Sequence, residues 1–229
     1  MSNEIISYFD ACQREGGSLQ KGMNFRRGRT YSVILMSVRP NAPYHDRIED
    51  DGSTLIYEGH DVPRTRGITN PKALDQPEYT HTGLLTENGK FHNAAQEYKR
   101  GLRKPEIVRV YEKIKAGIWS YNGLFELVDS WREQDGKRHV FKFKLVAIDD
   151  VELETLPEVS TFVHRRIIPT PVKLEVWKRD GGKCAICGAT TDLHFDHVIP
   201  YSKGGASLTA ENVQLLCARH NLEKHDKIV

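Results

Sequence analysis

Three segments of the C-terminal stretch decide how it is read: Cys184-Ala185-Ile186-Cys187; His194-Phe195-Asp196-His197-Val198-Ile199-Pro200-Tyr201-Ser202-Lys203-Gly204-Gly205; and Asn212-Val213-Gln214-Leu215-Leu216-Cys217-Ala218-Arg219-His220-Asn221-Leu222-Glu223-Lys224. Its first and last parts are two knuckles with two-residue spacers, separated by 29 intervening residues. An x2 spacing lets two side chains of one tight turn reach the same ion, and zinc takes four thiolate or imidazole ligands in a tetrahedron. A single C-x-x-C also fits redox chemistry. Two knuckles together predict a structural Cys3His zinc site of Cys184, Cys187, Cys217 and His220. The surrounding unit spans fewer than 60 residues, too few for an ample core, so a metal staple is expected. Val172–Asp180 is predicted as a short helix, His194–Val198 as a strand, Lys203–Gly205 as a loop and Ala210–Asp226 as a helical segment.

The segment between and across the knuckles resembles the HNH family of nucleases, with their ββα-metal fold, over about 50 residues and in the family's order. Carried over by position, the resemblance implies His197 as general base, Asp196 and Asn221 as ligands of a catalytic divalent ion, Mg2+ or Mn2+, and Asn212 as the asparagine holding the loop before the helix. Members with knuckles usually have cysteine as fourth zinc ligand, where this chain has His220. The chemistry suits phosphodiester hydrolysis. An imidazole titrating near neutrality can take a proton from water, and a hard cation held by a carboxylate and an amide oxygen can stabilise charge on the leaving oxygen. The bland alternative makes Asp196 and His197 turn residues in a non-catalytic zinc module. His194, His225 and Lys224 have weaker claims: His194 as a strand residue pointing away, Lys224 as a solvated helix charge.

Upstream, the stretch from 150 to 172 carries an acidic run, then His164-Arg165-Arg166, then two prolines, and reads as a linker. Residues 1–150 are expected to form one domain, 151–170 the linker and 171–229 the second domain. The first domain alternates β-branched and aromatic runs with turn signals, at 31–36, 54–57, 124–128 and 139–146. In the last of these, Phe141, Phe143 and Leu145 alternate with Lys142 and Lys144, the period of a strand with one wet face. Helices are predicted over about 3–14 and 91–100. The expected class is α+β: a curved, mostly antiparallel sheet or barrel with flanking helices, followed by the zinc-stapled ββα unit.

Tyr44-His45-Asp46, the strand end Ile56-Tyr57-Glu58-Gly59, and Tyr121-Asn122-Gly123-Leu124-Phe125-Glu126-Leu127-Val128-Asp129-Ser130-Trp131 resemble the SRA, or YDG, domain over about 20–150. The chain departs from that pattern at Asn122, where the family has Asp, and in a Tyr44–Tyr57 turn one residue longer than in eukaryotic examples. The resemblance implies a reader that flips a modified cytosine out of duplex DNA. Tyr44 and Tyr57 would be the stacking pair, and Asp46 would accept from the cytosine N4 amine. The plain alternative leaves the tyrosines as strand-end residues and Asp46 as a turn residue. Two basic runs, Lys21–Arg29 and Lys99–Lys115, are expected to form a phosphate track.

The whole chain of 229 residues carries 33 Lys and Arg against 31 Asp and Glu, a net charge of +2, so overall charge selects no partner. It contains no apolar run of membrane-span or signal-peptide length. Three of the four cysteines lie in the knuckles, which argues against a secreted disulfide framework and makes the cytoplasm the expected compartment. The combination reads as a modification-dependent restriction endonuclease acting on double-stranded DNA that contains 5-methylcytosine or 5-hydroxymethylcytosine. One HNH site cuts one strand at a time, so a homodimer is expected. The rivals are a modification-blind HNH nickase and a non-catalytic zinc-containing DNA reader.

Overall fold

A computed structural model describes residues 3–49, 52–64, 67–136, 138–148, 167–200 and 208–224. Most of the expected linker, the expected Lys203–Gly205 loop and His225 lie outside the described residues. The fold is α+β, and among the described residues it is built around a ten-stranded sheet that does not close. One long path orders β10 (Val213–Cys217), β9 (Leu193–His197), β1 (Glu4–Ile6), β7 (Ile118–Asp135), β6 (Glu106–Lys115), β3 (Ser32–Met36) and β2 (Met23–Asn24). A branch leaves β7 through β8 (Arg138–Ala147) to β5 (Thr54–Glu58) and β4 (Arg47–Ile48). All pairings are antiparallel except β3 with β6.

The 18-residue strand β7 serves both arms because it bends: its N-terminal half pairs with β1 and β6, its C-terminal half with β8. A bulge supplies part of the bend. Val110 faces Gly123 but Tyr111 faces Tyr121, which leaves Asn122 as the extra residue. Gly123 has φ +89°, a backbone conformation that a Cβ would strain. The Tyr-Asn-Gly signature is therefore a bulge, and Asn122 turns into the protein, 1% exposed. The helix α2 (Glu87–Lys99) sets Phe91, Ala94 and Ala95 against the sheet, in one core with Leu55, Tyr57, Phe125, Phe141 and Phe143.

Three sequence expectations need correction. The predicted helix over 3–14 is a strand, β1, followed by a shorter helix, α1 (Tyr8–Arg14). Ser7 accepts from the Asp10 amide at 3.1 Å and starts the helix there, while Ile5 and Ile6 pair with β7. The predicted helical segment 210–226 contains the strand β10 before α4 (Ala218–Lys224), because Val213, Leu215 and Cys217 alternate inward beside β9. The supposed wet face of β8 is half dry: Lys142 is buried, its Nζ 3.0 Å from Glu58 Oε2.

Candidate nuclease site and base pocket

The two knuckles meet. The ligand atoms of Cys184, Cys187, Cys217 and His220 all lie within 4.8 Å of one another. His220 Nδ1 is 3.4 Å from the sulfurs of both Cys184 and Cys217, and Cys187 Sγ is 3.9 Å from Cys217 Sγ. Tetrahedral zinc with bonds of about 2.0–2.3 Å separates its ligands by about 3.3–3.8 Å, so the donor set fits. Burial pushes the Cys184 thiol up, but backbone N–H groups of Cys187, Cys217 and Ile186 point at it and bring it down to about 6. That favours the thiolate a metal needs. Cys184 and Cys187 come from the turn after α3 (Thr170–Arg179); Cys217 ends β10 and His220 sits in the first turn of α4. The cluster thus ties three elements together.

The β9–β10 hairpin presents the candidate catalytic groups. Asp196 and His197 end β9, opposite Gln214 and Val213. Asn212 holds the exit of that strand: its Oδ1 accepts from the Ile199 amide at 2.8 Å, its Nδ2 donates to the Ile199 carbonyl at 3.1 Å, and its own carbonyl accepts from the Val198 amide at 2.9 Å. Burial holds the His197 imidazole below its ordinary pKa, with Asp196 opposing and Lys224 reinforcing. Its neutral, base-competent form is favoured. Asn221 lies on α4, one turn before Lys224, so the two share a side of that helix. Lys224, read from sequence as a solvated charge, is buried: its Nζ donates to the His197 carbonyl at 2.5 Å and lies 2.9 Å from Asp196 Oδ2. The contact with Oδ2 is an ion pair without hydrogen-bond alignment, which leaves that buried oxygen without a hydrogen-bond partner among the described residues. A carboxylate is a donor that a hard divalent cation takes, and in this structure its Oδ2 is held by the Lys224 ammonium.

In the sheet domain, Tyr44, Asp46 and His60 line a cleft of about 300 Å³, with Lys21, Arg39 and Lys113 also in its wall. Asp46 is fixed by two amides, Ser37 N–H to Oδ2 at 2.9 Å and Glu58 N–H to Oδ1 at 3.0 Å. Burial nevertheless raises its pKa to about 7, the two N–H groups opposing and Glu58 adding to the rise. Tyr57 takes a different place from the one its sequence position suggests. It is 1% exposed in the core, does not line the cleft, and its Oη lies 2.8 Å from His60 Nε2. His60, missed in the sequence, joins the two tyrosines: its ring stacks on Tyr44 at 4.7 Å and 6°, and lies 5.9 Å from the Tyr57 ring. Its backbone is clamped by Asn88, whose Oδ1 accepts from His60 N and whose Nδ2 donates to His60 O, both at 2.8 Å. Gly59 permits this, since a Cβ there would stand 2.7 Å from both Asn88 Oδ1 and Gln76 Oε1. A lone histidine after a strand end carries no motif of its own, so no sequence signal marks His60.

The two basic runs supply internal pairs as well as surface charge. Arg26 and Arg103 reach the buried Glu106 at 2.6 and 2.5 Å, and Arg29 and Arg109 reach the buried Glu15 at 3.3 and 3.2 Å. A phosphate track through those arginines is therefore a weaker reading than the sequence runs suggest. Lys21, Arg39 and Lys113, at the cleft, are better placed.

Comparison with known proteins finds two domain families along the chain. The model of the SAD/SRA domain matches residues 13–151, more than half the chain, and that of the HNH endonuclease matches residues 184–227. Among solved structures, the SUVH5 SRA domain in complex with hemimethylated CG DNA is 25% identical, with a TM-score of 0.45, over 67% of this chain and 92% of that one. The SUVH5 SRA domain bound to fully hydroxymethylated CG DNA is 24% identical, TM-score 0.37, over 58% and 79%. Arabidopsis thaliana SUVH6 in complex with SAM is 18% identical, TM-score 0.40, over 75% and 28%. No curated protein matches. The chain belongs to the SAD/SRA domain family and carries an HNH endonuclease domain after its SRA domain.

Proposed function

We propose that the chain is a modification-dependent endonuclease of the cytoplasm that reads 5-methylcytosine or 5-hydroxymethylcytosine in double-stranded DNA and hydrolyses phosphodiester bonds nearby. Residues 1–150 are the reader, 151–170 the linker and 171–229 the nuclease. The observation that carries the reading is the cleft whose wall holds both an aromatic ring, Tyr44, and a half-buried acceptor, Asp46, in an SRA chain that also holds the Asp196–His197 pair.

In the reader, the extruded base stacks on Tyr44 and its N4 amine donates to Asp46. His60 covers that face of Tyr44 in the DNA-free protein. A base therefore replaces it, and a second cavity of about 470 Å³, which Tyr44 and His60 also line, gives the imidazole somewhere to go. In the DNA-free protein the Tyr57 hydroxyl holds His60 in its place over Tyr44. In the nuclease, His197 takes the proton of the attacking water and Asp196 and Asn221 hold Mg2+ or Mn2+, which supplies positive charge where the leaving oxygen becomes negative. Zinc on Cys184, Cys187, Cys217 and His220 is structural. Asn212 fixes the strand end that carries Asp196 and His197. Cleavage of both strands uses a homodimer, one site per strand.

Duplexes differing only in cytosine, 5-methylcytosine or 5-hydroxymethylcytosine at one position test the reader. Wild type binds the modified duplexes more tightly, and Tyr44→Ala loses roughly 5- to 150-fold on those alone, the equivalent of about 1–3 kcal/mol of stacking. Equal wild-type affinity for all three makes the modification-blind nickase the better reading.

A further inference from the structure

The nuclease unit does not hang from the linker alone. Its α3 carries Lys173, 0% exposed, whose Nζ lies 2.8 Å from Glu112 Oε2 on β6 and 2.6 Å from Asn122 Oδ1 on β7. Asn122 Nδ2 in turn donates to Glu112 Oε2 at 2.9 Å, and Thr170 Oγ1 donates to Glu112 Oε1. The charge pair is thus buried and fully engaged at the joint between the two units. A second tie is the sheet: β1 pairs with β7 on one edge and with β9 on the other, Glu4 opposite His194, and the Phe195 amide donates to the Asn3 carbonyl at 3.0 Å. Ile5 of the same strand packs into the nuclease core, while Ile167, just before α3, packs into the reader core and donates to the Gly52 carbonyl at 2.5 Å.

We propose that Lys173, held by Glu112 and Asn122, is a positioning residue that makes reader and nuclease one body and so fixes the offset between the recognised base and the cut. This rests on the function proposed above. Asn122 is the residue at which this chain departs from the family's Tyr-Asp-Gly pattern. An Asp there would add a second carboxylate beside Glu112, where the amide instead offers its oxygen to Lys173 and its nitrogen to Glu112. The departure makes sense as one half of a contact whose other half lies in the nuclease unit. A flexibly tethered nuclease would scatter its cuts over the reach of its linker; a docked one places them at one distance.

The test uses the full chain and a duplex with a single 5-methylcytosine, with cleavage ends mapped in the presence of Mg2+ or Mn2+. Wild type is expected to cut within about one nucleotide of a single offset. Glu112→Gln with Lys173→Met removes both charges together, which avoids stranding either one, and is expected to spread the ends over several nucleotides at unchanged affinity for the duplex and unchanged zinc content. Thr170→Val serves as a milder second variant should the first fold poorly, with a smaller spread. Hydrogen exchange without DNA gives a readout independent of cleavage: the Phe195 amide is slow in wild type and at least tenfold faster in the double variant. Scattered wild-type cuts, a sharp offset retained by the variants, or a rapidly exchanging wild-type Phe195 amide would each overturn the proposal. Cleavage blind to the modification, with Phe195 slow in wild type and released in the variant, would remove the function reading and leave the docked joint standing.

Discussion

At the scale of single residues, the two candidate sites both rest on groups whose ionisation is set by burial. Burial favours the neutral form of His197, and as the proposed general base it is expected to account for about 10²–10⁴ in rate. His197→Ala should lose cleavage by that factor while zinc content and DNA binding stay as in wild type; wild-type-like cutting by this variant would remove the proposed mechanism. Asp46 and His60 make a pH prediction of opposite signs. Burial lowers His60 to about 4, so as pH drops from about 6.5 the unfolded chain binds that proton first and stability is lost. Asp46, raised to about 7, takes its proton first in the folded chain, so stability is gained as pH drops from about 7 towards 4. The two trends offset each other, at roughly 3–4 kcal/mol each. Thermal melts of Asp46→Asn should therefore fall more steeply than wild type between pH 6.5 and 4.5, and those of His60→Phe less steeply. Identical pH slopes for all three proteins would contradict the assigned shifts.

At the scale of elements, the C-terminal unit was the most legible in the sequence. A two-residue spacer is local geometry, so Cys184 with Cys187 and Cys217 with His220 could be read without knowing the fold. The strand β10 was not legible, because Val213–Cys217 is a short apolar run whose pairing with β9 is a tertiary fact. The same holds for β1, whose three residues make sense only between β7 and β9, and for Lys173, a charge that looks solvated on α3 until Glu112 and Asn122 are placed opposite it. Since zinc ligation contributes roughly 10–16 kcal/mol to such units, comparable to the stability of a whole domain, the hairpin β9–β10 should not survive its loss. Purified protein should contain about one zinc per chain, and Cys184→Ala should expose the amides of β9 and β10 to rapid exchange. A zinc-free preparation with protected amides would contradict the cluster's structural role.

At the scale of the molecule, the sheet joins what the sequence divides. An acidic, proline-bearing stretch reads as a linker between two independent units, yet β1 begins the chain and lies between the reader's β7 and the nuclease's β9. The reader and the nuclease therefore share one sheet, and recognition and cutting are expected to be coupled in one chain. The direct test is cleavage of matched plasmids, one carrying 5-methylcytosine and one unmodified, with Mg2+ or Mn2+ and with chelator. Cleavage of the modified plasmid alone, dependent on the added ion and absent from His197→Ala, is the predicted result; equal cleavage of both plasmids, or of neither with zinc-replete protein and either ion, would contradict it.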